Sequence, residues 1–224
     1  QLVAEQALAD EIPQIYAQQV ERFNENPDTD SHDGKIGDYT GLELDELQLA
    51  NSGAVVVMDV NTGNVLAMAN YPSYDLNLFT GGISDEDYKA LQTEAGNPLY
   101  NKAIQSLATP GSIFKMVTAT AALMEGETTL DERIDDGYRY TEGISNISQA
   151  PTCWTTASSR HQNQRVVEGL QNSRNFYFYT LAGRLGIDLI DKWGEKYGLT
   201  SSTGIELPGE AVGIIGNQSL LYDA

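Results

Sequence analysis

Thr109-Pro110-Gly111-Ser112-Ile113-Phe114-Lys115 opens a stretch in which Phe114, Val117, Ala121 and Met124 recur at three- and four-residue steps. That spacing predicts a helix starting near Pro110 and stopping by Gly126, since proline suits a first helical turn and glycine the position after the last. Ser112 falls in the first turn. Lys115, three residues on, shares its helix face, so the two side chains are within reach of each other.

Upstream, Ala54 to Met58 and Val65 to Ala69 are apolar runs joined by Asn61-Thr62-Gly63-Asn64, which reads as a hairpin of two buried strands. Tyr71-Pro72-Ser73-Tyr74-Asp75 ends that segment, because proline cannot donate to a central ladder. Gly81-Gly82 marks a loop before a short acidic helix near Ser84 to Ala95. At the start, Leu2, Ala7, Leu8, Ile12 and Ile15 recur at helical spacing, predicting a helix to about Phe23 followed by an exposed polar loop, Asn24 to Tyr39. Downstream, Asp135 to Arg160 shows no clear period. Helical patterns return at Val166 to Leu170 and at Phe176 to Leu185, the latter closed by Gly186. Helix, hairpin and then helices is the order of an α+β domain. No repeat or low-complexity segment interrupts it.

With 224 residues, 41% of them hydrophobic, the chain has the material for a core. Its formal charge of -19 repels phosphate backbones and anionic headgroups, so nucleic acid is excluded as a partner class. A single cysteine, Cys153, permits no internal disulfide and leaves the compartment open. No run reaches the roughly 20 apolar residues of a membrane span, and Gln1 to Ala9 lacks the layout of a signal peptide. The chain begins within a helical pattern, which suggests an excised fragment. Asp28, Asp30, His32 and Asp33 superficially suggest a calcium loop, but Gly34 comes one place too late and no glutamate closes it, so no metal site is expected.

A serine is a poor nucleophile at its own pKa. A lysine serves as its base when burial and positive neighbours hold the amine neutral. The first turn adds free backbone N–H groups, that of Ser112 included, to receive an oxyanion. Taken alone, Ser-x-x-Lys also fits a helix-capping serine and a solvated lysine. A histidine-based triad has few candidates, since the chain holds only His32 and His161.

The surroundings add weight. Pro110-Gly111-Ser112-Ile113-Phe114-Lys115 closely resembles the active-site signature of class B penicillin-binding proteins. Met58 to Met68 with Asn70-Tyr71-Pro72-Ser73-Tyr74-Asp75 resembles that family's lead-in, and Pro98-Leu99-Tyr100-Asn101-Lys102-Ala103 its segment before the nucleophile. Cys153-Trp154 and Thr203-Gly204-Ile205-Glu206-Leu207-Pro208-Gly209-Glu210 are similar to later landmarks. Ser173-Arg174-Asn175 matches the second element of the Ser-x-x-Lys, Ser-x-Asn, Lys-Thr-Gly set. Otherwise Ser173 is an N-cap for the helix near Phe176. Two departures stand out: Arg174 where the family often carries cysteine, and Arg160 and Gln162 where it has glycines around His161.

The resemblance implies a penicillin-binding, serine-transpeptidase-like α+β fold: an antiparallel sheet flanked by helices, with a helical subdomain. Residues 1–48 form a helical lead-in and acidic loop, and 49–224 the first portion of the transpeptidase domain. Ser112 is implied as nucleophile, Lys115 as its base, Ser173 as proton relay and Asn175 as substrate-binding amide, with no metal and no organic cofactor. The implied partners are peptidoglycan stem peptides, β-lactams and other cell-wall synthesis proteins. The implied location is extracytoplasmic, with any membrane attachment through a segment not present here. No Lys-Thr-Gly or Lys-Ser-Gly occurs before Ala224, so the cleft and sheet are expected to be incomplete and the isolated chain inactive. A class D β-lactamase-like or β-lactam-sensor domain, and a non-catalytic wall-binding module, are the alternatives.

Overall fold

A computed structural model describes residues 1–25, 43–47, 49–155 and 163–216. The Asp28–Asp33 cluster with Gly34, and Arg160, His161 and Gln162, lie outside the described residues. The described residues form two compact units, one from those up to Ser106 with 207–211, the other from Leu107 to Glu206 with 212–216.

In the first unit, helix α1 (Leu2–Glu25) packs on an antiparallel hairpin of β1 (Gly53–Met58) and β2 (Val65–Tyr71). Ala4 and Leu8, one helical turn apart, bury against Ala69, with Ile12 and Val55 alongside. The Gln1 side chain acts as a short strand partner: its amide donates to Met68 O at 2.7 Å and accepts from Met68 N at 2.9 Å. Asp59 shapes the turn by accepting from Asn61 N and the Thr62 hydroxyl, both at 2.9 Å, and Gly63 supplies a φ of 75°. The strands are not fully buried as their apolar runs predict. Val56, Val57, Met58, Val65 and Leu66 are exposed, because α1 covers one face of the hairpin and no third strand adjoins it among the described residues. Ser84 caps α2 (Asp85–Thr93), accepting from Asp87 N at 3.0 Å. Asn70 ties β2 to α3 (Lys102–Gln105) by accepting from Ala103 N at 2.8 Å.

The second unit is helical. A 3₁₀ turn at Gly111–Phe114 leads into α4 (Lys115–Met124), then come α5 (Val166–Gln171) and α6 (Asn175–Lys196). The helix expected from Pro110 thus starts tighter than an α-helix, which places Ser112 in a 3₁₀ turn and Lys115 at the first α-helical residue. Ala119, Ala121 and Ala122 are almost fully buried, and their small side chains let α4 lie close to α6. Tyr177, Phe178, Leu181 and Leu185 fill the core from the α6 side. Gly186 does not close the helical region as its position suggests. Its φ of 72° and ψ of 167° kink α6, after which the helix resumes to Lys196 and buries Trp193.

Candidate active site

Ser112 is exposed on its 3₁₀ turn, while Lys115 is half-buried at the head of α4. The connection between α5 and α6 returns Ser173-Arg174-Asn175 to this point, 58 residues from Lys115 along the chain. Lys115 Nζ donates to Ser173 O at 2.8 Å, to Ser173 Oγ at 3.1 Å and to Asn175 Oδ1 at 2.7 Å. Ser173 Oγ in turn donates to Ser112 Oγ at 3.0 Å. All four residues singled out from the sequence therefore meet. The link from serine to lysine runs through the Ser173 hydroxyl, not by the direct contact that their helical spacing suggests.

Ser173 is no helix cap. Its φ of 49° lies in the left-handed region, and Arg174, not Ser173, occupies the N-cap position of α6. A non-glycine residue held there carries backbone strain on the order of 1–3 kcal/mol, and such outliers concentrate where a side chain must be aimed.

Burial holds the Lys115 amine below its ordinary 10.5; the Cys153 thiol opposes that shift, and the Arg174 guanidinium reinforces it. Lys115 Nζ also lies 5.6 Å from the centroid of the Phe178 ring. A neutral amine keeps two N–H donors and gains a lone pair. In that neutral form Ser173 O and Asn175 Oδ1 would take the two donors, leaving the lone pair to accept from Ser173 Oγ; in the charged form Nζ donates to all three oxygens. Hydroxyl protons rotate freely enough for the row Ser112 Oγ, Ser173 Oγ, Lys115 Nζ to carry a proton either way.

One ion pair beside the site was not read from the sequence. Arg174 is 1% exposed and pairs with Asp136, its Nε donating to Asp136 Oδ2 at 2.6 Å and its Nη2 to the same oxygen. Asp136 comes from the stretch without periodicity, and 38 residues separate the partners, so nothing local marks the pair. The Trp154 ring faces the guanidinium at 6.0 Å, and the adjacent Cys153 is buried. Among the described residues no cluster of three His, Cys, Asp or Glu side chains could hold a metal, and no helix is long and apolar enough to cross a membrane.

Residues 53–223 match the family described as the penicillin binding protein transpeptidase domain. The chain is 34% identical over 182 residues to the peptidoglycan D,D-transpeptidase MrdA of Acinetobacter baumannii, and 36% identical over 171 residues to that of Escherichia coli K12. These matches take in 80% and 76% of this chain, which spans 26% of the length of either relative. Among solved structures, penicillin-binding protein 2 of Pseudomonas aeruginosa superposes with a TM-score of 0.67 at 32% identity, covering 77% of this chain and 38% of its own. The corresponding protein of Helicobacter pylori gives 0.69 at 30% identity, covering 76% of this chain and 31% of its own. The partial α+β fold, the row of hydroxyls and amine, and the match over 53–223 converge, and the chain belongs to the penicillin-binding protein transpeptidase domain family.

Proposed function

We propose that this chain carries the nucleophile side of a peptidoglycan D,D-transpeptidase site. The observation that carries the reading is the row Ser112 Oγ, Ser173 Oγ, Lys115 Nζ, with separations of 3.0 and 3.1 Å. Ser112 Oγ attacks the carbonyl carbon of the penultimate D-alanine of a stem peptide while its proton passes through Ser173 to Lys115. The tetrahedral oxyanion sits at the backbone N–H of Ser112. Collapse breaks the amide bond, returns the proton to the departing D-alanine amine and leaves an acyl-serine. An amine of a neighbouring strand then attacks the ester, gives up a proton along the same row and frees Ser112. The Asn175 amide holds the peptide group of the substrate. β-Lactams acylate Ser112 by the same attack, since their strained amide mimics the D-Ala-D-Ala end.

On this reading residues 49–224 are the first portion of the transpeptidase domain and 1–48 its lead-in. The substrate places the enzyme outside the cytoplasmic membrane, attached through a segment elsewhere in a longer polypeptide and working beside other cell-wall synthesis proteins. Support comes from the relatives' names, peptidoglycan D,D-transpeptidase, and from solved penicillin-binding protein A of M. tuberculosis, described as an imipenem acyl-enzyme complex at 28% identity and a TM-score of 0.63.

Fluorescent penicillin, followed by denaturing electrophoresis and peptide mapping, tests the reading on the 224-residue chain and on a longer chain that includes a Lys-Thr-Gly segment. Label on Ser112 in the longer chain, lost in Ser112→Ala, is the expected result. Label on another residue, or none in either chain, overturns it.

A further inference from the structure

The residue between Ser173 and Asn175 turns its side chain to Asp136 and is among the most buried of the described residues. Arg174 is fixed on several sides. Its backbone N–H donates to Gly169 O at 2.9 Å at the end of α5, and its side chain grips Asp136 through Nε and Nη2. Its Nη1 is buried with no acceptor among the described residues, so the guanidinium is committed to that one carboxylate. Asp136 is held as firmly: its Oδ1 accepts from Tyr138 N at 2.7 Å, and Tyr138 O accepts from Cys153 N at 2.7 Å. Next along that strand of chain, Trp154 Nε1 donates to Asn172 O at 3.2 Å, the residue before Ser173. The loop carrying Ser173 is thus tied to the 136–138 turn directly through Arg174 and a second time through the 153–154 segment.

We propose that the buried Asp136–Arg174 pair is a positioning device for the acyl-transfer site: it pins the middle of the Ser173-Arg174-Asn175 triplet so that its neighbours face Ser112 and Lys115. The inference rests on the transpeptidase reading for what is positioned. Three features of the geometry support it. Ser173 occupies a left-handed conformation that persists only where the surroundings over-determine it, and Arg174 is the adjacent anchor. With Arg174 drawn inward, residues 173 and 175 present three oxygens to a single Lys115 nitrogen. A buried ion pair is a weak source of stability, because desolvation offsets the attraction, yet losing one partner strands the other. The best-attested use of such a pair is to fix one arrangement among alternatives, which is the role assigned here. The guanidinium also joins burial in keeping Lys115 below its ordinary value, against the Cys153 thiol.

The test uses the whole protein and measures β-lactam acylation as a rate constant at saturation separately from the non-covalent binding constant, beside the thermal midpoint. Arg174→Met alone is expected to lower the midpoint, since Asp136 is left buried and unpaired. Asp136→Leu with Arg174→Met removes both charges and is expected to recover the midpoint while acylation stays down by roughly 10- to 100-fold, with binding little changed. A merely structural pair predicts the opposite: a double variant with wild-type midpoint and wild-type acylation, which overturns the proposal. If the double variant does not fold, Arg174→Lys decides, because it keeps the charge but not the two-pronged grip, and an undiminished acylation rate there also overturns it. A wild-type protein that takes no label at Ser112 removes the transpeptidase reading and this inference together. Labelled wild type with undiminished variants removes the inference alone.

Discussion

Lys115 and Ser173 meet twice. The lysine Nζ is 2.8 Å from the serine carbonyl oxygen and 3.1 Å from its hydroxyl, so one residue both orients the amine and offers it a path to Ser112. The carbonyl contact is made by the backbone, so a substitution at position 173 that keeps the left-handed conformation removes the hydroxyl and leaves the carbonyl in place. That separates positioning of the lysine from proton relay, and the following expectations use the separation.

Ser173→Gly keeps the carbonyl and relieves the φ of 49°, but deletes the hydroxyl between Ser112 and Lys115. Stability is expected to stay within about 1 kcal/mol of the parent, with strain relief set against the greater freedom of the unfolded glycine chain. Acylation is expected to fall by roughly 100-fold, within the range general-base assistance supplies. Chemical denaturation alongside stopped-flow acylation measures both, and an unchanged acylation rate would remove Ser173 from the relay.

Asn175→Asp places a carboxylate where Oδ1 now accepts from Lys115 at 2.7 Å. The new negative charge favours the protonated lysine and raises its pKa, opposing the effect of burial. The rising limb of the acylation rate against pH is expected to move to higher pH, with a lower rate at pH 7. A limb that stays in place would mean that another group sets it.

The folded pKa of Lys115 lies below the ordinary 10.5, so between the folded value and 10.5 the unfolded chain binds more protons than the folded one. Stability therefore rises with pH across that window and declines as pH falls through the folded pKa, below which both states are protonated and the dependence ends. Lys115→Met removes this contribution, flattening the upper part of the stability–pH curve, as urea titrations at a series of pH values would reveal. The same variant is expected to lose acylation by at least about 100-fold.

Leu181 is fully buried in α6, in the core cluster it shares with Val117, Ala121 and Ala122 of α4, and takes no part in the hydrogen-bonded row. Leu181→Ala is expected to cost about 2–5 kcal/mol, the usual range for such a cavity. Because α4 carries Lys115 and α6 carries Asn175, loss of packing between them should also loosen the site. Label at Ser112 is then expected to decrease on warming at lower temperature than in the parent, as midpoint and labelling scans would show.

Helices α1, α2, α4 and α5, the first half of α6, the hairpin turn and the Ser112–Lys115 spacing were legible in the sequence because each depends on neighbours a few residues apart, whereas the single turn of α3 was not. Glycine after a helix, proline in its first turn and apolar steps of three and four act through local backbone geometry. Even here the local rules had limits: the turn at Ser112 is 3₁₀, and Gly186 kinks a helix that its composition marks as ended. Apolar runs at Ala54–Met58 and Val65–Ala69 identified strands correctly but overstated their burial, since burial is decided by what packs on the faces and not by the strand itself. The sequence by itself supplied the groups on which the proposed chemistry rests: a serine with an amine three residues on, and, through the family resemblance, a second serine with an asparagine. Tertiary structure alone decided that the lysine reaches Ser112 through Ser173, and that Asp136 anchors Arg174 across 38 residues. Both are long-range contacts in which at least one partner, Ser173 or Asp136, lies outside a helix or strand, where no periodicity records it.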